Sequence, residues 1–542
     1  MKTHLRIFAV VGTLLLLSTS FALATIRTVP GDAASIQAAI NASSSGDAVQ
    51  LVAFHTYNES VTINVTNLTL MGVDSTCVIT PPSGNGINVT ASSVTIQNLK
   101  VTGAADNGIY AHNVSNLNII GVIASVNGTS AVGSGIYVDD ITGTSALTNI
   151  TASSNQLHGI SIGDGSNGLT VNGGTFIGNG VSGNTGTGGG INIHSVSSSI
   201  SNITVEGTIN STWNMNAGII IYAEASSGSI NTVTIGATGT VTLTGNGSGS
   251  IGEGVAVAGN VTTVNITAQF TEGSLAHGAG VAVVGTDNTG SHSPSGVTIS
   301  NSTFSGYGLA TPAITLASSS SSPTYISTNP VTATTGNTFG ADGYATEDLI
   351  YHKLDNASLG LVTTDASNLY VTTNSGSIQR GIDAATSQTV NVGTGYYTES
   401  LTLNKAITLA GVDTSAKDHP ASGVGITVTV SGATVKNLVV DSSVTDGISA
   451  SGLTSLSLSG VVSRNNAGSG AQLSNCGSVT ITNGSYSNNT HEGINAVTGS
   501  NYTINGTSAS GNGSGSNGSG IDLDGFSGTS TATNVWATSN HH

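Results

Sequence analysis

The chain has little cysteine and few basic side chains. Only 2 of its 542 residues are cysteine, and Cys77 and Cys476 lie far apart without a neighbouring partner. This spacing excludes a disulfide framework or a cysteine-rich metal site, and we expect both to be lone cysteines in the core or in a stacked ladder. Lysine and arginine number 10, with none between Lys100 and Lys353. Because nucleic-acid binding requires basic side chains that neutralise phosphates, nucleic acid is not expected as a partner.

After the first 24 residues, the chain also lacks an apolar run of the roughly 20 residues that span a bilayer. The first 24 residues themselves have the pattern of a secretory signal peptide. Lys2 and Arg6 precede the apolar stretch Ile7–Leu17, and Ala22 to Ala24 form a small-x-small cleavage site. We therefore expect a mature chain that begins near Thr25 and is secreted or displayed on a cell surface.

What the chain has instead is glycine and short alternating runs. It contains 74 glycines and 37% hydrophobic residues, and Val, Ile and Thr alternate with polar residues over short stretches. Alternation with a period of two is typical of strands, and disorder does not predict it.

The net charge of −17 disfavours anionic membrane surfaces and acidic polysaccharides as partners.

A short motif, Gly-(Ile/Val)-x-(Ile/Val), and looser variants of it recur at intervals of 23 to 36 residues within each half of the chain. The copies begin at Gly108, Gly135, Gly159, Gly190, Gly218, Gly254 and Gly280, and related strands begin at Gly447, Gly470, Gly493 and Gly520. One such unit cannot bury its apolar side alone, whereas stacked units bury a continuous core. The repeats therefore predict an all-β fold, a right-handed parallel β-helix solenoid. A propeller blade would need about 40 residues for its four strands.

Two stretches of the chain open in the same way. Ser35-Ile-Gln-Ala-Ala-Ile and Ser377-Ile-Gln-Arg-Gly-Ile each predict a short amphipathic helix that caps a module. The predicted organisation is a signal peptide at 1–24, a first module at 25–316, a connecting segment at 317–376 and a second module at 377–542. No capping segment closes the second module. We expect either that more chain follows or that a partner covers that end.

The module openings resemble those of pectin methylesterase-like proteins, in which a helix precedes a Gly-x-Tyr-x-Glu strand. Gly395 to Glu399 match that motif, whereas His55 stands in the place of the glycine in the first module. The chain is thus similar to the pectin lyase-like superfamily of right-handed parallel β-helices over nearly its whole mature length. The superfamily includes lyases, hydrolases, esterases, epimerases, tailspikes and adhesins, so the resemblance implies the fold and leaves the activity open.

The resemblance implies three kinds of chemistry. The aspartate segments of pectin methylesterases have no counterpart, so Glu59 and Glu399 are interpreted as structural carboxylates. The basic residue that a uronate lyase needs is missing between residues 101 and 352. An inverting hydrolase uses paired carboxylates, and part of its pattern is present as an Asp-Asp pair followed one coil later by His-Gly. The weak catalytic candidates are therefore Asp139, Asp140, His158 and Asp164.

Counting from each motif glycine predicts a stripe of outward-pointing side chains. The second and fourth residues after the glycine point away from the core. The predicted ligand-binding residues on this stripe are Tyr110, Tyr137, His112, Asn192, His194 and Tyr222. Aromatic faces beside polar groups suit neutral sugar rings or another protein surface, and an ordinary solvated face is the alternative. His and Asp on this face are metal ligands, which leaves a catalytic or metal site as a further alternative. The leading expectation is that no metal or cofactor is bound.

The leading hypothesis is a non-catalytic extracellular scaffold, adhesin or glycan-binding module, with a glycan or a surface protein as its partner. The alternative is a carbohydrate-active enzyme, a hydrolase acting on neutral or weakly acidic polysaccharide. The hypotheses differ in one structural feature, which is whether the candidate carboxylates converge in a concave groove.

Overall fold

The computed structural model describes residues 24–129, 132–181, 188–224, 227–247, 253–273, 278–318, 323–340, 343–514 and 518–541. The predicted signal peptide, apart from Ala24, lies outside these residues. Within them, parallel sheets stack along one axis with three short helices, and the fold is the right-handed parallel β-helix that the repeats predict. None of the described helices is long and apolar enough to cross a membrane.

Each motif glycine of the first half directly precedes a strand of one 11-stranded parallel sheet, here called the motif sheet. Its strands are Val61–Ile63, Ile87–Val89, Ile109–His112, Ile136–Asp139, Ile160–Ile162, Ile191–Ser195, Ile219–Ala223, Val255–Gly259, Val281–Val284, Ile314–Thr315 and Ile350–Tyr351. A Cβ atom at Gly159 would lie only 2.6 Å from the carbonyl oxygen of Gly190 in the next coil. Glycine is therefore required where successive coils approach each other closely.

The other faces of the first module form one assembly of 20 strands, from Ile26–Val29 to Val362–Thr363. Long strands such as Ile200–Thr212 run through a corner and join two faces. The inward side chains fill a continuous core. Stacking extends to aromatic rings inside the core, where the centroid of Phe304 lies 4.7 Å from that of Phe270 and 4.9 Å from that of Phe339.

Buried asparagines form a ladder through each module. Each side-chain amide except the last in its ladder donates from Nδ2 to Oδ1 of the asparagine in the next coil, at 2.8–3.1 Å. The last amide of each ladder donates to a backbone carbonyl oxygen. The two ladders comprise Asn127, Asn155, Asn179, Asn214 and Asn246, and then Asn466, Asn489, Asn512 and Asn540. A buried amide is costly unless it is hydrogen-bonded, and stacking supplies a partner for each one.

Short helices open both modules, as predicted. The three described helices are α1 (Ile36–Asn41), α2 (Gly343–Glu347) and α3 (Ile378–Ala384). The hydroxyls of Ser35 and Ser377 cap α1 and α3 by accepting a backbone N–H. Glu59 accepts the first N–H groups of α1, and Glu399 accepts those of α3. The interpretation of both glutamates as structural carboxylates is confirmed.

The segment 317–376, predicted to connect the modules, has regular structure of its own. It contributes the strands Val331–Thr335, Ile350–Tyr351 and Val362–Thr363 to the sheets of the first module, and it contains α2. The hydroxyl of Thr372 donates to Asp348 Oδ1 at 2.5 Å near the start of the second stack. In α3, Arg380 Nε donates to the backbone carbonyl oxygen of Leu354 in this segment at 2.6 Å. The predicted domain limits stay predictions.

The second module has sheets of eight, seven and six strands within the described residues. Its six-stranded sheet carries the glycine motifs of the second half and comprises Leu401–Leu403, Ile426–Val428, Ile448–Ser451, Ala471–Ser474, Ile494–Val497 and Ile521–Asp524. Cys77 and Cys476 are buried and free, one in each core, as predicted.

Candidate functional site

A groove runs along the outer face of the motif sheet. It consists of two adjoining cavities of about 410 and 360 Å³, and both are lined by His158, Asn192 and His194. The larger cavity, here called the polar half, lies toward the start of the chain, over Tyr110 and Tyr137. The smaller cavity, here called the apolar half, follows it along the stack. The shared residues make the two cavities one continuous groove.

Strand register aligns the floor of the groove in columns. The residues at the second place after each motif glycine pair in the order Tyr110, Tyr137, Ser161, Asn192, Ile220, Ala256 and Ala282. At the fourth place His112 pairs with Asp139, and His194 pairs with Tyr222. The predicted outward stripe is therefore present. Five of its six predicted residues line the groove, whereas His112 lies beyond its margin.

Two pairs of stacked rings give the groove its aromatic surface. The ring centroids of Tyr110 and Tyr137 are 5.4 Å apart with the planes 28° from parallel. The rings of His194 and Tyr222 are 5.0 Å apart and 14° from parallel. Burial, with a smaller effect from Asp139, raises the pKa of Tyr137 to about 12, so its hydroxyl stays protonated and is a hydrogen-bond donor. These rings offer flat apolar faces with polar edges.

A cluster of His112, Asp139 and Asp140 lies at the margin of the polar half. The Nδ1 atom of His112 is 3.1 Å from Asp139 Oδ1 and 3.6 Å from Asp140 Oδ2. Burial raises the pKa of Asp139, although His112 opposes the shift. One ligand atom from each residue lies within 4.8 Å of the others, which is close enough to hold a metal ion. All three are at least partly exposed, and the expectation of no metal stays a prediction.

Asp164 does not join that cluster. Its carboxylate accepts hydrogen bonds from the backbone N–H groups of Val196, Ser197 and Ser198 and from the Ser197 hydroxyl. Burial raises the pKa of Asp164, but the bonds from Ser197 and its neighbours outweigh it, and the pKa is lowered. A carboxylate held in this way stabilises a turn in the next coil and has little freedom to transfer protons.

His158 also has a structural environment. Its Nδ1 accepts the backbone N–H of Gly189 at 3.0 Å, so Nε2 carries the proton of the neutral ring. Burial, with a smaller effect from His194, lowers the pKa of His158 to about 3. The imidazole is therefore neutral at ordinary pH. Asp139 and Asp140 share His112 as a partner, whereas Asp164 and His158 bond to other groups. The structure therefore does not bring the four weak catalytic candidates together as a hydrolase pair with its histidine.

Sequence reasoning missed one column of the groove wall. Backbone hydrogen bonds from Gly108 to Ser134, from Gly135 to His158 and from Gly218 to Glu253 align the residue that precedes each motif glycine. Ser134, His158 and Glu253 all line the groove. Burial raises the pKa of Glu253 to about 7. The repeat itself contained this signal, because the position just before each glycine is as regular as those after it.

Comparisons with known proteins give similarity of fold. No family model matches the chain, and no curated protein matches it. The A-module of Azotobacter vinelandii mannuronan C-5 epimerase AlgE4 is 18% identical with a TM-score of 0.41, over 61% of this chain and 93% of that one. ORF18 of Geobacillus virus E2 is 14% identical with a TM-score of 0.36, over 51% of this chain and 55% of that one. An alginate lyase from Paenibacillus sp. str. FPU-7 is 17% identical with a TM-score of 0.28, over 46% and 94%.

The chain spans about half the length of the viral protein it matches. At these identities and TM-scores the likeness concerns the fold alone and assigns no substrate or reaction to this chain.

Proposed function

We propose that this chain is an exported, non-catalytic glycan-binding protein that holds a neutral saccharide in the groove of its first module. The observation that carries the proposal is the stacked pair Tyr110 and Tyr137 on the floor of a groove whose neighbouring positions are amides and hydroxyls. A sugar ring has an apolar C–H face and a rim of hydroxyls. Aromatic faces match the first and hydrogen-bonding side chains match the second.

The polar side chains lie where the hydroxyl rim of a sugar would need them. Asn107 and Ser134 stand on one wall, and Ser161 and Asn192 continue the column of the two tyrosines. Asn192 Nδ2 donates to Ser161 Oγ at 3.2 Å, which holds the amide in place and leaves its carbonyl oxygen available as an acceptor. A row of such groups in register at about 4.8 Å per coil suits an extended chain of sugar units.

Charge supports a neutral saccharide over an anionic one. No Lys or Arg lies among the described residues that line either half of the groove, whereas Asp106 lies in the polar half and Glu253 in the apolar half. A uronate or sulfate would meet no counter-charge there. The carboxylates at the margin of the groove, Asp139 and Asp140, would repel it further.

The geometry also favours binding without turnover. Inverting hydrolysis needs two carboxyl groups roughly 6.5–9.5 Å apart on either side of the scissile bond. Asp139 and Asp140 contact His112 outside the groove, and Asp164 is held by a turn. Glu253 is the carboxyl in the apolar half whose pKa of about 7 would suit a general acid. It is therefore the residue to substitute in any assay for depolymerisation.

The test is a glycan array followed by titration of the purified chain with the neutral oligosaccharides that it retains. Tyr137→Ser removes a ring from the groove floor, and the next coil already has Ser161 at the same register position, so the variant should fold. Losing the ring contact corresponds to about 1.4 kcal/mol, and we expect binding weakened about tenfold. Tyr396→Ser, at an exposed position of a strand in the second module, is the matched control and should bind like the native chain.

Three results would contradict the proposal. Retention of no glycan by the native chain excludes the binding role and makes a protein partner the next candidate. Equal weakening by the two tyrosine substitutions places binding outside the groove. Release of shortened products by the native chain, with loss of release in Glu253→Gln, would make the chain an enzyme.

A further inference from the structure

The groove changes its chemistry along the axis of the β-helix. From Ile220 onward, its outward positions are apolar over three consecutive strands, with Ala256, Ala258, Ala282 and Val284 on the floor. The outward face of a solvated strand is ordinarily polar. In the six-stranded sheet of the second module, second-place positions such as Ser449, Gln472 and Asn495 follow that rule. The apolar half is therefore a local departure from the pattern of the same chain.

The walls of the apolar half are aromatic. Tyr222 stacks on His194 at the boundary with the polar half, and Tyr325 lines the cavity as well. Glu253 is the one carboxyl among the described lining residues, and its pKa of about 7 leaves it largely uncharged in mildly acidic solution. The neutral His158 adds no charge. The cavity thus presents about 360 Å³ of space whose surroundings favour hydrocarbon over water.

The two halves meet without a barrier, because His158, Asn192 and His194 line both. We infer that the ligand is an amphipathic saccharide, a neutral glycan that carries an alkyl or acyl group. The sugar lies over Tyr110 and Tyr137 in the polar half, and the hydrocarbon lies over Ala256 and its neighbours in the apolar half. This inference rests on the proposed glycan-binding function and adds the chemical class of the ligand.

The experiment compares a series of alkyl glucosides on the full chain. Methyl, hexyl and octyl β-D-glucopyranoside are titrated below their micellar concentrations, with calorimetry as the readout. A buried methylene is worth about 0.8 kcal/mol, so we expect each added methylene to tighten binding by about two- to fourfold until the cavity is filled. Octyl glucoside should therefore bind at least about thirtyfold more tightly than methyl glucoside.

Ala256→Phe tests the location of the hydrocarbon. Its register position holds Tyr137 four coils earlier and Ile220 one coil earlier, so a large side chain is compatible with the fold. Phenylalanine there fills the apolar half, and we expect the advantage of the octyl chain to fall below threefold. Ala146→Phe is the matched control, since Ala146 points outward from a strand on another face of the same module. That variant should keep the full dependence on alkyl length.

The outcomes separate this inference from the function on which it rests. If the native chain retains neutral glycans but shows no dependence on alkyl length, the amphipathic ligand is wrong and the glycan-binding role stands. If Ala256→Phe keeps the alkyl dependence, the hydrocarbon binds elsewhere and the inference fails. If alkyl dependence is lost in Ala256→Phe but no glycan is retained by the native chain, the cavity binds hydrocarbon alone. That last result overturns the proposed function together with the saccharide half of this inference.

Discussion

Asp418 is a fully buried carboxyl group in the second module, and its ionisation should destabilise the fold. Its Oδ1 accepts the backbone N–H of Glu399 at 3.3 Å, while Oδ2 has no hydrogen-bond partner among the described residues. Burial, with a smaller effect from the Glu399 carboxylate, raises the pKa of Asp418 to about 8 from its ordinary value of 3.8. In the first module, the position paired with the equivalent tyrosine, Tyr57, is the apolar Ile79, whereas Tyr397 pairs with Asp418.

The sign of the pH effect follows from proton binding. Unfolded Asp418 loses its proton near pH 3.8, whereas folded Asp418 keeps it to about pH 8. Between these values the folded chain binds more protons than the unfolded chain. The free energy of unfolding should therefore fall by about 1.4 kcal/mol per pH unit as pH rises, and level off above about pH 8. Across the window the loss amounts to about 3–6 kcal/mol.

Asp418→Asn should remove this loss. The variant keeps an acceptor for the Glu399 N–H and cannot ionise. We compare the free energy of unfolding of the variant with that of the native chain. The difference between them should change little below about pH 4. It should then shift in favour of the variant as pH rises, by about 3–6 kcal/mol in total at pH 8. Asp418→Ile, which copies the apolar residue of the first module, should show the same pH dependence relative to the native chain.

The assay is urea unfolding of the native chain and each variant, followed by far-ultraviolet circular dichroism between pH 4 and pH 9. Asp413→Asn is the control. Hydrogen bonds from the Ser415 hydroxyl and N–H lower the pKa of Asp413, so this carboxyl is ionised in both states from pH 5 to pH 8. Its difference from the native chain should stay constant over that range. If the difference in stability between Asp418→Asn and the native chain is also constant from pH 5 to pH 8, the reasoning is refuted.

Two further substitutions test the buried polar contacts. Asn179→Ala leaves the N–H and the Nδ2 of Asn155 without their acceptor, at a cost of about 2–5 kcal/mol, and should speed hydrogen–deuterium exchange of the Asn155 amide at least tenfold. Asn210→Ala, at an exposed strand position, should leave that exchange rate within twofold. Glu399→Ala removes the acceptor for the first N–H groups of α3 and should lower the free energy of unfolding by about 1–2 kcal/mol, whereas Glu206→Ala should change it by less than about 0.5 kcal/mol. If Glu399→Ala lowers the free energy of unfolding no more than Glu206→Ala does, the assigned role of Glu399 is wrong.

The fold could be predicted from the sequence because its determinants are local and repeated. Alternation after each motif glycine, as at Gly135 and Gly159, fixes which side chains point inward, and stacking then fixes their neighbours. The outward stripe followed from the same register. Glu59 and Glu399 could be interpreted correctly because each follows a capped helix at a similar distance, 23 residues after Ile36 and 21 residues after Ile378.

The roles of the polar candidates could not be predicted in this way. Asp164 binds Ser197 in a turn 33 residues away, and no alternation fixes the path of that turn. A sequence pattern groups His158 with Asp139, but the Gly189 N–H donates to its Nδ1 and holds the ring at the wall of the groove. Glu253 is left out of the predicted stripe because that stripe counts only the positions after each glycine, whereas Glu253 precedes one. Turns between coils carry these contacts, and their conformations depend on the neighbouring coil.

Comparison of the two modules shows that the glycine motif and the β-helix do not by themselves produce the groove. The six-stranded sheet of the second module repeats the glycine motif and the inward apolar positions of the motif sheet. Its second-place outward column comprises Thr402, Thr427, Ser449, Gln472, Asn495 and Asp522, without a ring or an aliphatic side chain. The β-helix therefore forms with an ordinary polar face at these positions. The stack does not require Tyr110, Tyr137 or Ile220, so their presence in the first module supports the proposal that this face binds a ligand.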